Sequence, residues 1–175
     1  MNMETAARAP APPGAEAVLA GLYAEHRLAL VRLALLLVGD RESAEDVVQD
    51  VFSRMHGRRP ETLSLAYVRV GVLNAARSLL RRRAVAARVL PGRREEPVGS
   101  AETAALLGEA RQEMLAALGR LPRRQREILV LRYYLDLSDA DIAQATRVRE
   151  STVRSTASRA LDRLKRELGE LEDKA

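Results

Sequence analysis

Residues 41–56 read RESAEDVVQDVFSRMH, and this stretch decides the fold class. Ala44, Val47, Val48, Val51, Phe52 and Met55 fall at offsets 0, 3, 4, 7, 8 and 11. With 3.6 residues per turn, that spacing lays them along one apolar stripe of an α-helix. A half-buried strand would need strict alternation, which the Val47-Val48 and Val51-Phe52 pairs break. Burying the stripe contributes about 1.5–3 kcal/mol per large side chain, so an apolar partner surface is expected over it. The opposite face carries Glu45, Asp46, Gln49 and Asp50. Gly39-Asp40 offers a stop for a preceding helix and an N-cap for this one. Gly57 ends it.

Outward from this segment, helical periodicity continues in both directions. Leu19, Leu22, Leu30, Leu33 and Leu37 predict a helix from about Glu16 to Val38. Gly57 to Leu63, with Pro60, reads as a loop. A third helix is expected from near Ser64 into Arg81-Arg82-Arg83. Pro91, Gly92, Pro97 and Gly99 then mark a linker. Periodicity returns over Ala101 to Leu118, breaks at Leu121-Pro122, and resumes over Arg123 to Leu135. Asp136-Leu137 form a turn, and Ser138 is a good N-cap for a short helix through Ala145. A tight turn, Thr146 to Arg149, leads to a last helix from about Glu150 to Leu168, after which no further domain is expected.

The expected fold is therefore all-α, with two small helical domains joined by a flexible linker. The division is 1–15 as a Pro- and Ala-rich disordered leader, 16–84 as the first domain, 85–109 as linker, 110–170 as the second domain and 171–175 as tail. Composition agrees. Of 175 residues, 47% are hydrophobic and 30% charged, a globular balance. One Phe, four Tyr and no Trp argue against a sheet-rich domain. With no Cys, disulfides, thiol catalysis and cysteine-based metal sites are excluded. His26 and His56 stand far apart in the chain, so no metal or other cofactor is expected. The longest apolar run, Leu33 to Val38, is far short of the roughly 18–20 residues of a membrane span, so membrane insertion is not expected and a cytoplasmic location is.

Charge position says more than the net +5. Of 29 basic residues only Lys165 and Lys174 are lysines. Asp40 to Asp50 holds five acids and a single base, Arg41, whereas Thr62 to Arg94 holds eight arginines and no acid. An acid-free arginine stretch suits a polyanion, although genomic composition alone also enriches arginine. Asn74, Arg77 and Arg81 recur near helical spacing there, together with Arg69 and Tyr67. Such a face could hold single-stranded DNA by hydrogen bonds and stacking, or be a basic amphipathic helix at solvent or a membrane surface. The acidic face around Asp46 could dock a partner or simply be solvated.

The helices on either side of Thr146 to Arg149 fit a helix-turn-helix. Ala143 is the small residue at their approach, and Ile142, Val148, Val153 and Leu161 can lock their angle. The second helix exposes Arg149, Ser151, Thr152, Arg154, Ser155, Ser158 and Arg159, donors of the kind that read base edges and phosphates. A plain antiparallel hairpin is the alternative.

Four segments, LALLLVGDRESAEDVVQDVF, AYVRVGVLNAARSLLRRR, LPRRQREILVLRYYLDLSDADIA and STVRSTASRALDRLK, together resemble the extracytoplasmic-function (group 4) sigma factors of bacterial RNA polymerase, a branch of the sigma-70 family, in actinobacterial style. They cover nearly all of the chain outside leader and linker. The resemblance implies a promoter-specificity subunit that binds core polymerase and recognises −10 and −35 promoter elements. AEDVVQDVF is similar to region 2.2, which docks on the β′ clamp helices; this would put Asp46, Gln49 and Asp50 at the interface, with Phe52 supporting them from the core. Arg58 to Ser64 and the following helix resemble regions 2.3 and 2.4, where the −10 element is melted and Tyr67, Asn74, Arg77, Arg81 and Arg82 would hold the strand. LPRRQREILVLRYY resembles region 4.1, which packs on the β flap, and the seven polar residues from Arg149 to Arg159 would read the −35 element. An anti-sigma factor is a further candidate partner.

One departure stands out: Thr146-Arg147-Val148 replaces a Leu-Gly-Val-like turn. Arginine in the left-handed region costs roughly 1 kcal/mol. No nucleophile–base set, facing carboxylate pair or GxxxxGK[ST] phosphate loop is present, so no enzyme activity is expected. A stand-alone regulator using only the C-terminal helix-turn-helix is the competing reading.

Overall fold

The computed structural model describes residues 14–89 and 109–172. Residues 1–13 of the expected leader, most of the expected linker and the last three residues lie outside them; Ala15, read as leader, is the first residue of the first helix. Among the described residues there is no strand.

Helix α1 (Ala15–Val38) ends at Gly39, whose φ of 93° lets its amide donate back to the Leu35 carbonyl. Asp40 then caps α2 (Arg41–Met55), its carboxylate accepting from the Ser43 amide at 2.9 Å. The stripe from Ala44 to Met55 is buried at every position. It packs against α1, where Tyr23 meets Phe52 edge-on with ring centres 5.0 Å apart. Gly57 turns the chain at φ 76°, and a single 3₁₀ turn (Pro60–Thr62) occupies the expected loop.

Helix α3 (Leu65–Val89) completes a three-helix bundle. It runs several residues past Ala84, into the segment read as linker, because Ala84 to Arg88 contains good helix formers and the first breaker is Pro91. Gly71 of α3 faces Val51 and Met55 of α2 at close range. A Cβ there would stand 2.9 Å from Val51 Cγ1 and 3.1 Å from Met55 Cε.

The second half comprises α4 (Glu109–Arg120), α5 (Arg123–Leu129), α6 (Asp139–Thr146) and α7 (Glu150–Glu172). The helix expected over Arg123 to Leu135 is not uniform. Its second half, Val130–Tyr134, widens into a π-type turn, closed by Leu135 N–H donating to the Val130 carbonyl at 3.2 Å. The wider turn leaves Val130 and Leu131 both buried while Tyr133 is exposed.

The halves do not have separate interiors. Leu30, Leu33 and Val48 from the first share one apolar cluster with Ile128, Leu131, Ile142 and Val153 from the second. A smaller cluster of Leu118, Leu121, Leu129 and Ala160 takes Leu36 of α1 against it. Among the described residues, no helix is long and apolar enough to cross a membrane, and no cluster of three or more His, Asp or Glu could hold a metal ion.

Candidate nucleic-acid interface

Three faces carry the residues singled out by sequence. The first is the outer side of α2. Asp46, Gln49 and Asp50 are exposed, and Phe52 is buried behind them. Asp50 pairs with Arg54 one turn on, at 2.7 Å, and Arg41 with Glu45 at 2.9 Å. At the start of α2, Asp40 accepts both terminal nitrogens of Arg83 at 3.0 Å, and Arg83 also bonds the Ser43 hydroxyl. Burial pushes the Asp40 carboxyl up, but the Ser43 hydroxyl and amide and the Arg83 guanidinium outweigh it and hold the carboxyl below its ordinary value. Arg83 is thus turned back into the bundle, whereas Arg81 and Arg82 beside it are exposed.

The second face lies between α2 and α3. An open groove of about 250 Å³ is lined by Arg54, Met55, Arg58, Tyr67, Val70 and Asn74, among others. The Arg58 guanidinium lies over the Tyr67 ring, 5.7 Å from its centre. Of the residues expected to hold a strand, Tyr67 and Asn74 line this groove, and Arg81 and Arg82 lie exposed farther along α3. Arg77 is elsewhere engaged. Its Nε bonds Glu127 of α5, Nη2 donates to the Ala145 carbonyl of α6 at 3.0 Å, and Nη1 to Asn74 Oδ1 at 3.2 Å. Sequence reading did not single out Arg58 or Val70 as members of the groove. Val70 follows Tyr67 by three residues on the same helix face, a signal that was available; Arg58 lies in a loop, where periodicity says nothing.

The third face is the α6–turn–α7 unit. Ser138 caps α6 by accepting from the Asp141 amide, and Ile142 and Val153 are fully buried between the helices. Arg147 adopts φ 56°, ψ 46°, the left-handed turn conformation, and Val148 N–H closes the turn on the Ala143 carbonyl at 3.0 Å. Arg149, Ser151, Thr152, Arg154, Ser155, Ser158 and Arg159 are all exposed on α7. Arg154 lies 3.4 Å from Asp139 and 3.6 Å from Glu150, and Asp139 also pairs with Arg132. An acid-buttressed arginine on an exposed helix of hydroxyl side chains is a surface able to enter a DNA groove.

These two halves coincide with two family matches: Sigma-70 region 2 over residues 22–86 and Sigma-70, region 4 over residues 111–164. The RNA polymerase sigma-E factor of Streptomyces coelicolor is 33% identical over 147 residues, with 80% of each chain covered. The ECF RNA polymerase sigma factor SigL of Mycobacterium tuberculosis is 32% identical over 165 residues, covering 89% of this chain and 91% of its own.

The chain belongs to the extracytoplasmic-function sigma factors.

As a sigma factor it directs transcription initiation, with core RNA polymerase and promoter DNA as partners, and the stand-alone regulator is not favoured. Sigma factors are in general non-catalytic initiation factors. Among solved structures, the sigma factor RpoE in complex with the anti-sigma factor NepR from Bartonella quintana superposes with a TM-score of 0.69 at 25% identity, covering 85% of this chain and 97% of that one. CnrH in complex with the cytosolic domain of CnrY, at 24% identity and a TM-score of 0.58, shares the fold.

Proposed function

We propose that this sigma factor docks on the β′ clamp helices of core polymerase through Asp46, Gln49 and Asp50 on α2, holds the melted −10 strand along α3, and reads the −35 element with α7. The observation that carries the docking assignment is that these three polar side chains stand exposed on a helix whose other face, Phe52 included, is wholly buried. Such a helix can exchange partners on one side without disturbing its core.

The groove between α2 and α3 supplies a place for an unpaired base, with the Tyr67 ring for stacking and the Asn74 amide for hydrogen bonding. Base–aromatic stacking is worth about 1–3 kcal/mol per base. Arg81 and Arg82 attract phosphates, a term that weakens as salt rises. With no nucleotide-phosphate loop in the chain, strand opening is driven by capture of unpaired bases rather than by ATP. Each grip is weak alone. Anchoring both domains on one polymerase raises the effective concentration of each at its own element. The β flap packs on the second domain in this reading. The reading is non-catalytic and cytoplasmic, and an anti-sigma factor, of the kind seen with the Bartonella quintana relative, is a further partner.

The test is Asp50→Arg in the full chain, with binding to purified core polymerase as readout. Loss of binding at unchanged helical content is expected. Native-like affinity would overturn the docking assignment.

A further inference from the structure

Arg77 occupies an unexpected position for a strand-holding side chain. Two of its three acceptors, the Glu127 carboxylate and the Ala145 carbonyl, come from the second domain. Together they present oxygens to a guanidinium much as a phosphate would. Glu127 is only 8% exposed. A carboxylate so placed needs its partner, because a buried charge left alone is strongly destabilising.

Neighbouring contacts close the same seam. Tyr134 O–H donates to the Ala29 carbonyl at 3.0 Å, and Arg126 of α5 lies against Gly39, at the carbonyl end of α1. The docking face on α2 and the reading face on α7 remain exposed, whereas Arg77 does not.

Geometry makes this arrangement a resting form. Elements centred at −35 and −10 lie ~25 base pairs apart, or ~85 Å at 3.4 Å per step. Two domains of this size packed together span only about 40 Å. The seam must therefore open before both elements can be held at once.

We propose that Glu127 is a built-in competitor of the −10 strand, clasping Arg77 so that the free sigma factor rests closed, with region 4 folded onto the strand-holding helix. The inference rests on the reading of α3 as that helix. Because only the open fraction can take the strand, closure lowers the apparent affinity for single-stranded DNA by that fraction. On opening, both charges return to water, so the clasp can yield to a stronger anion.

The chain has no cysteine, so Ser53→Cys with Lys165→Cys, both exposed sites, allow a clean pair of spin labels in the full-length protein. Wild type should give one short, narrow distance. Glu127→Gln, which keeps the shape and removes the charge, should add a longer population and bind a mixed-sequence 20-nucleotide single strand ~5-fold tighter or more. The charge reversal Arg77→Glu with Glu127→Arg should restore the short distance without restoring DNA affinity. Unchanged distances in Glu127→Gln, or a reversed pair that stays open, would overturn the clasp. Opening without any gain in strand affinity would instead overturn the assignment of α3 to the strand.

Discussion

Asp40 shows how one residue ties local chemistry to tertiary structure. It caps α2 and also anchors Arg83 from α3. Its folded pKa lies below the ordinary 3.8, so its contribution is complete above that value and is lost as pH falls through the folded one. Asp40→Asn keeps a capping side chain but loses the charge. It should lower stability at pH 7 by about 1–2 kcal/mol, read as a shift in the urea midpoint. The curves for wild type and variant should stay apart down to pH 3.8 and converge only as pH falls further, through the lowered folded value, whereas curves that stay parallel through that range would show that Asp40 is not the group responsible. Asn74 is the second informative residue. It lines the groove and touches Arg77. Asn74→Ala should impair open-complex formation, followed by permanganate reactivity, more than closed-complex binding; equal loss in both would argue against a melting role. The caps at Asp40 and Ser138 were legible in sequence because capping is a three-residue affair. The partners of Arg77 and Arg83 were not, since 50 and 43 residues separate them from Glu127 and Asp40.

At the scale of elements, α7 carries the recognition claim. Arg154→Ala should weaken −35 binding by ~1–3 kcal/mol. Its exposed pairs with Asp139 and Glu150 contribute little to folding, on the order of 0–1 kcal/mol, so global stability should hardly move. Unchanged promoter preference would mean that the helix is wrongly placed. The seam of α2 and α3 is the other element-level test. Gly71→Val inserts carbon against Val51 and Met55, where even a Cβ is crowded. Overpacking of this kind costs about 1–3 kcal/mol, so the urea midpoint should fall, and the groove beside it should narrow. A neutral result would show that the helix spacing is not set there. The stripe on α2 and the C-terminal stop of α1 at Gly39 could be read from period and punctuation alone. The π-type turn at Val130–Tyr134 could not, because Ile128, Leu129 and Leu131 suit an α-helix equally well. The extension of α3 to Val89 escaped for the opposite reason: helix propensity persists there without an apolar face.

The whole molecule adds what neither half shows. Read along the chain, a proline- and glycine-marked linker suggests two independent domains. Each is small, and domains of such size bury too little surface to be robust alone. In the folded protein they complete one another's core, with Leu30 and Leu33 of α1 in the same cluster as Ile128 and Leu131. Sequence gave the apolar faces of α1 but not their occupant, since a leucine stripe does not specify what covers it. The acidic and arginine-rich segments, by contrast, were separable by counting, and they end on different helices with different exposed faces. Function on this account is the exchange of one set of partners for another. The domains release each other, polymerase sets their separation, and two salt-sensitive grips on DNA become one selective one.

Run-off transcription tests this most directly: purified core polymerase and the full chain are offered a random-sequence or genomic DNA pool, and the templates that initiate are sequenced. The account predicts discrete start sites whose templates share two blocks at −10 and −35 with nearly constant spacing. Failure of the chain to associate with core polymerase, or initiation from templates with no shared upstream elements, would contradict it.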